Sequence, residues 1–308
     1  MKKISVFFIG LFCSVLLFGQ TCDIPLQIVF EEESENIPAQ AQQLMANQLR
    51  SIISSNGIVG SEENTQFALL PSFNVIDKHI IAGPPTKVIY NMNVTLHIIN
   101  LQDHKVFSTY SRELDAVGNN ETKALIDGIK QIKKTENEAI LFLQRGKEKI
   151  IAYYDDHYRN IIKKAQAMAF MKKYEEALYH ISSIPECCKG YNNAMNASFV
   201  IFQKYTDQTC LENLGKARRA WIPLQNEKGA NEAAQFLSEI YPDAACYGEA
   251  MSLYKEIKTK VKDDWNFEMK HYNDAVSIEK QKISAIRDIG VAFGKGQKTQ
   301  TSNIFLRK

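Results

Sequence analysis

The chain has 308 residues, enough for two domains that each bury a core of their own. Hydrophobic residues make up 45% and charged residues 23%, near globular averages, which excludes wholesale disorder. With 37 basic against 35 acidic residues the net charge is +2; that balance, with no basic stripe interleaved with aromatics, excludes nucleic acid as the expected partner.

Residues 1–19 form a secretory signal pattern. Lys2-Lys3 supply the positive start, Ile4 to Phe18 an apolar run, and Gly19 a small residue at the cleavage point. That run of roughly 15 residues is short of the about 20 a spanning helix needs. Cleavage after Gly19 leaves a mature chain in the periplasm or outside the cell, with no transmembrane segment. The competing expectation is a lipoprotein acylated at Cys22, although Gly19-Gln20-Thr21 fits a lipobox poorly.

Residues 20–145 are expected to form an α+β domain. Ile24 to Phe30 alternates as a strand does, Glu31 to Glu35 is an acidic loop, and Pro38 opens a helix running to about Ser55. Phe67–Leu70 and Phe73–Ile81 are two short strands divided by Pro71. Gly83-Pro84-Pro85 is a hard turn. From Lys87 to Ile99 the alternation is clearest: Val88, Tyr90, Met92, Val94, Leu96 and Ile98 share one face, and Asn91, Asn93, Thr95 and His97 the other. A turn at Gln102-Asp103-His104 leads to a second strand, Val106 to Val117, making an antiparallel hairpin with one wet face. A helix from Glu121 to Leu143 follows. One sheet with two helices on a face is the expected layer.

Residues 146–289 carry no strand signal and are expected to be all helix. Glu176-Ala177, Ile184, Tyr191, Ala194 and Met195 recur 56 residues on as Glu232-Ala233, Ile240, Tyr247, Ala250 and Met251, so the half is built from a duplicated unit. The first unit should run through helices at 157–171, 174–184 and 190–204, the second from about Cys210. A long charged helix from Asp263 to Ile289 closes the stack, and residues 290–308 are expected to be a flexible tail.

Five cysteines remain after cleavage: Cys22, Cys187, Cys188, Cys210 and Cys246. A helix of roughly 16 residues between Cys188 and Cys210 would hold them about 24 Å apart, too far to bridge. Cys188 with Cys246 is the expected disulfide, because both follow the helix-ending prolines of equivalent repeats.

No catalytic, cofactor or metal site emerges. Gly294-Lys295-Gly296 lacks the phosphate-loop spacing. Asp155, Asp156 and His157 are consecutive on a helix and point in different directions. His97 and His104 have no Ser, Cys or carboxylate placed to make a triad, and Cys187-Cys188 would require a strained vicinal bridge. The helical half holds eleven of the chain's 13 tyrosines. Tyrosine brings apolar area and a hydroxyl to an interface, so Tyr153, Tyr154, Tyr158, Tyr191 and Tyr247 are the candidate partner surface.

Three resemblances sharpen this. Val94-Thr95-Leu96-His97-Ile98, Val106-Phe107-Ser108-Thr109 and Val117-Gly118 before the helix containing Ala124 resemble the periplasmic α/β module of curli-secretion-channel lipoproteins, over about 100 residues. That likeness implies the module but no pore, since no amphipathic hairpin accompanies it. Lys172-Lys173-Tyr174-Glu175-Glu176-Ala177-Leu178 resembles the inter-helix turn of a tetratricopeptide repeat, with a longer period. The chain also resembles secreted proteins of Bacteroidetes-type bacteria, whose signal peptides often end just before Gln, as at Gly19-Gln20. The function these imply is a non-enzymatic envelope scaffold whose partner is another envelope or outer-membrane protein. The alternative is a binding module for a small molecule or peptidoglycan fragment in the cleft around Tyr153 to Tyr158.

Overall fold

The computed structural model describes residues 24–30, 37–55, 66–133, 137–261, 265–271 and 275–296. The signal pattern, Cys22, the acidic loop after Phe30, and residues 297–308 lie outside the described residues. The fold is α+β, with the sheet in the N-terminal region and helices after it.

Four strands, β1 (Leu26–Ile28), β2 (Phe67–Ile81), β3 (Lys87–Asn100) and β4 (Val106–Gly118), pair in the order of the chain. β1 runs parallel to β2, a pairing that needs a crossover, and α1 (Ala39–Ser55) supplies it. The other two pairings are antiparallel. Every residue that alternation assigns to the inner face of β3, from Val88 to Ile98, is buried. Met45, Leu49, Ile52 and Ile53 of α1 share that core with Ala124 and Ile129 of α2 (Glu121–Lys130) and Phe142 and Leu143 of α3 (Asn137–Phe170). α2 starts where Asn120 caps it, its side chain accepting from the Lys123 amide at 2.9 Å.

The expected pair of strands either side of Pro71 is one strand, β2. The Leu69 carbonyl accepts from the Val29 amide, so it faces β1. Two residues on, Pro71 presents its nitrogen to the same side, past the last β1 pairing at Leu69. The N–H that proline lacks is therefore one the ladder never asks for.

The expected helix from Glu121 to Leu143 is two, α2 and α3, and α3 then continues unbroken for 34 residues. The division expected at 145/146 falls within it. Gly146 is what lets α3 lie against the sheet: a Cβ there would stand 2.3 Å from Ile98 Cδ1. One hydrophobic core consequently runs from Ile24 through the sheet into Ala177, Ile184 and Phe202.

Beyond α3 come α4 (Tyr174–Ile181), α5 (Tyr191–Trp221), α6 (Glu227–Leu237) and α7 (Tyr247–Val261). The helix expected at 190–204 and the one expected from Cys210 are a single helix, α5, which closes one unit and opens the next. The 56-residue echo is carried by backbone as well as sequence. Cys188 N–H donates to the Pro185 carbonyl and Tyr191 N–H to that of Cys188; Ala244 and Tyr247 repeat both bonds 56 residues later, to Tyr241 and Ala244. Each turn is clamped by an aspartate of its unit's first helix, α3 or α5: Asp155 accepts from the Lys189 amide and Asp207 from the Ala245 amide, both at 2.7 Å. The spacing differs before the turns because α4 has 8 residues and α6 has 11. Tyr174 and Ala230, 56 apart, thus sit at different steps of their helices, the first and the fourth.

The disulfide joins Cys210 to Cys246, with Cα atoms 6.0 Å apart, and Cys188 is a buried free thiol; the expected Cys188–Cys246 pair does not form. Equivalence explains the error. Cys188 corresponds to Ala244, and its sulfur faces Ile151 of its own unit at 4.0 Å. Cys246 corresponds instead to Gly190, which packs so closely on Tyr158 that a Cβ would stand 2.2 Å from the ring. The first unit closes this helix-to-turn contact by glycine on tyrosine, and the second closes it by a covalent bond. Cys187 is also disulfide-bonded.

α8 (Ala275–Gly296) locks the stack: Gly290 and Gly294 lie over Tyr179 of α4, and Lys282 pairs with Asp243 at 3.1 Å. Residues 290–296, expected as the start of a mobile tail, are the end of this helix. Residues 265–271, expected as helix, are irregular, with Trp265 buried and its indole donating to Asn231 at 3.1 Å.

Three changes test this account. Gly190→Ala forces a methyl into Tyr158 and should cost about 1–3 kcal/mol, as overpacking does, whereas Gly248→Ala, with nothing within 4 Å, should be neutral or stabilising by about 0.5–1 kcal/mol. Breaking the 36-residue disulfide loop by Cys210→Ser should cost about 4 kcal/mol in the chain-entropy account. Denaturant midpoints under non-reducing conditions read all three, and equal midpoints for the two glycine variants would contradict the packing described.

Candidate functional site

The five tyrosines of the expected surface do not share one. Tyr153, Tyr154 and Tyr158 lie on α3, Tyr191 opens α5 and Tyr247 opens α7. Tyr154 is 1% exposed and belongs to the core, so it cannot present a surface. Asn100, at the end of β3, donates to its hydroxyl at 3.1 Å; Gln66, just before β2, also donates to it, and Ser183, in the turn after α4, is bonded to it too. One phenol thus ties two strands and the first helical turn to α3. Burial raises its pKa well above the ordinary tyrosine value.

Tyr153 is half-buried. Its ring stacks on His157 with centroids 4.4 Å apart, meets Phe107 edge-on, and carries the Lys105 ammonium 3.8 Å above its face. Tyr158 is the floor on which Gly190 rests. Tyr247 donates its hydroxyl to the Lys270 carbonyl, holding the irregular segment to the second unit. In these contacts tyrosine is mortar between elements.

Beside the α3 tyrosines opens a cleft of about 510 Å³ lined by Glu148, Ile151, Ala152, Asp155, Asp156 and Lys189. Asp155 is engaged twice, by the Lys189 amide and by its ammonium at 3.6 Å. The cleft is open, with charged side chains beside the apolar Ile151 and Ala152. The thiol of Cys188 lies beneath it, with its pKa pushed up to about 12 by burial and then by Asp155. A thiol so protonated is a poor nucleophile. Among the described residues no group of three or more His, Cys, Asp or Glu is gathered to hold a metal ion.

The outer face of the sheet is a ladder of polar side chains bonded to one another. Asn91 donates to Glu113 at 2.9 Å and Asp115 at 3.0 Å, Ser111 donates to Asn93 at 2.6 Å, and His97 meets the Thr109 hydroxyl at 3.0 Å. Burial lowers the pKa of His97, so its ring is neutral in this ladder. His104 sits apart in the hairpin turn with φ 57°.

Tyrosine counting misses the largest exposed apolar side chains. Phe170 ends α3 at 89% exposure with Met171 beside it at 59%; Ile222 and Leu224 follow α5 at 60% and 40%. Phe170 and Ile222 stand 52 residues apart, as do the clamping aspartates Asp155 and Asp207. A spacing other than 56 was the available signal. No helix among the described residues is long and apolar enough to cross a membrane.

No family model matches the chain, and no curated protein does. Among solved structures it is similar to a minor lipoprotein from Acinetobacter baumannii, at 19% identity over 35% of this chain and 88% of that one, with a TM-score of 0.24. It is similar also to a lipoprotein from Caulobacter crescentus CB15, at 10% identity over 40% of this chain and 88% of that one, with a TM-score of 0.24. Scores of that size carry no fold or function across.

Buried tyrosines give a test in alkali. Tyr205, near Glu175 and Tyr241, has its pKa pushed up to about 12, chiefly by burial, and that of Tyr154 is raised as well. An unfolded tyrosine titrates near about 10. Above that pH the unfolded chain has released protons the folded chain still holds, so stability falls as pH rises toward the folded values. The denaturant midpoint should drop above about pH 10 and drop less steeply in Tyr154→Phe. A variant curve parallel to that of the parent would show that Tyr154 is not one of the groups responsible.

Proposed function

We propose that this is a non-enzymatic, exported cell-envelope protein that acts as a scaffold or assembly factor for another envelope or outer-membrane protein. In this reading the helical units, tetratricopeptide-like in their turns, receive the partner. The sheet layer, similar to the periplasmic module of curli-secretion-channel lipoproteins, is the base on which they stand. Export rests on the signal pattern of Lys2-Lys3 and the apolar run to Phe18.

The observation that carries the proposal is the pair of turns at Phe170-Met171 and Ile222-Pro223-Leu224. Each unit ends its first helix with bulky apolar side chains held out in water. A single exposed apolar residue is ordinary, but the same display at equivalent turns of a duplicated unit fits surfaces that a partner covers. The cleft along α3 supports small-molecule binding less well, because it is open to solvent rather than enclosed.

The test is affinity capture of the mature protein from envelope extracts, with the companions identified by mass spectrometry, for the parent and for a Phe170→Glu, Ile222→Glu double variant. Both positions are exposed, so the variant should keep the parent's melting curve. A companion recovered with the parent and lost with the variant supports the proposal. Equal recovery by both, or none by either, overturns it.

A further inference from the structure

The outer edge of β2 beyond Leu69 pairs with nothing among the described residues. On it stand Val75, Ile76, Ile80 and Ile81, exposed at 43%, 54%, 62% and 52%. Unpaired backbone flanked by β-branched side chains is a template for another strand. Proteins that must keep such an edge single place inward charges or prolines along it. Here the one proline of the strand, Pro71, stands before this stretch, and the one charge on its helix-side face, Lys78, opposite Tyr90, is ion-paired to Glu121 of α2.

The sequence of the edge says which strand fits. From Val75 to Ile81 it reads Val-Ile-Asp-Lys-His-Ile-Ile, a palindrome in chemical character centred on Lys78. We propose that this edge pairs antiparallel with the same edge of a second copy of the chain, about a two-fold axis at Lys78. In that register Asp77 faces His79 of the second copy, Ile76 faces Ile80, and Val75 faces Ile81, each contact occurring twice. Asp77 and His79 already pair within the chain at 2.8 Å and are each more than half exposed, so the four side chains form an alternating cluster across the axis. The one like-charged apposition is Lys78 with its own copy, and each Lys78 is ion-paired to Glu121 of its own α2.

The backbone permits this register, and the bulge is the reason. From Gln66, whose carbonyl accepts from the Leu101 amide, every second residue as far as Asn74 faces β3. The irregularity between Val75 and Asp77 leaves Ile76 without a counterpart on β3 and shifts the alternation by one. After it, Asp77, His79 and Ile81 face β3, and Ile76, Lys78 and Ile80 turn N–H and C=O outward. Those are the residues that a two-fold at Lys78 must hydrogen-bond: Ile76 to Ile80 in each direction, and Lys78 to its copy, the Lys78 amide exchanging the bond it makes in the single chain to its own Asp77 carboxylate at 2.7 Å. Paired residues point to the same face, so the helices of both copies lie on one side. The two polar ladders then join across an eight-stranded sheet.

Light scattering on the mature protein should give twice the mass of the chain. Ile76→Lys with Ile80→Lys should return it to one chain mass while circular dichroism stays unchanged, since both positions are exposed in the single chain, and should remove the concentration dependence of the parent's melting temperature. Lys78→Cys should form a disulfide-linked dimer under mild oxidation, because two-fold partners in a hydrogen-bonded pair have Cα atoms about 5.5 Å apart; Asn74→Cys, far from the axis, should not. A single-chain mass at every concentration overturns the proposal, including the case in which the monomer binds an unrelated extended peptide at this edge. So does a dimer indifferent to the two lysines, or cross-linking at Asn74→Cys in place of Lys78→Cys.

Discussion

The structure depends on one helix belonging to two environments at once. The first half of α3 lies on the sheet and its second half is the first helix of the repeated unit, and 34 residues of unbroken hydrogen bonding leave no hinge between them. Tyr154 fixes the midpoint. Its hydroxyl gathers Asn100, Gln66 and Ser183 while its ring lies edge-on to Phe67, so strand ends, helix and first repeat turn share one buried polar knot. A buried hydroxyl with every partner in place costs little, and removing it would strand several donors. The knot therefore specifies how the helical half sits on the sheet, beyond what apolar burial alone would fix.

From that base the repeat propagates by reuse. α5 ends one unit and begins the next, so the second unit inherits its orientation from the first. The turn bonds recur at 56 residues and the aspartate clamps at 52. The point where helix and turn touch is solved differently each time: Gly190 on Tyr158 in the interior unit, and Cys210–Cys246 in the outer one. The physical difference is neighbours. The first unit is held by the sheet core and by α8, whereas the second packs in a separate, smaller core, where a cross-link contributes most.

Several elements were legible because their signal is local. The face of β3 follows from strict alternation, and the hairpin to β4 from the polar turn between them. The duplicated turns are visible because the same small set of residues must fill the same close contacts. Other features were not legible for an equally physical reason. Nothing in the residues around Thr206 and Asp207 says whether a helix ends there, since polar residues on the open side of a continuing helix look like a turn. Pro71 looked like a strand break because the one-dimensional pattern does not show which side of β2 is vacant. The aspartate clamps are separated from their turns by α4 and α6, whose lengths differ by three residues, which hid their correspondence behind a second period.

By itself the sequence determined the class of the chain, the strand faces, and the existence of a repeated helical unit. These rest on periodicity and on residue chemistry read along the chain. Only the tertiary structure decided which cysteines meet, that Tyr154 is a buried junction rather than a surface, that α3 and α5 are continuous, and which edge of the sheet is left open. Each of those is a contact between residues tens of positions apart, set by helix length and packing distance, and no local pattern encodes it.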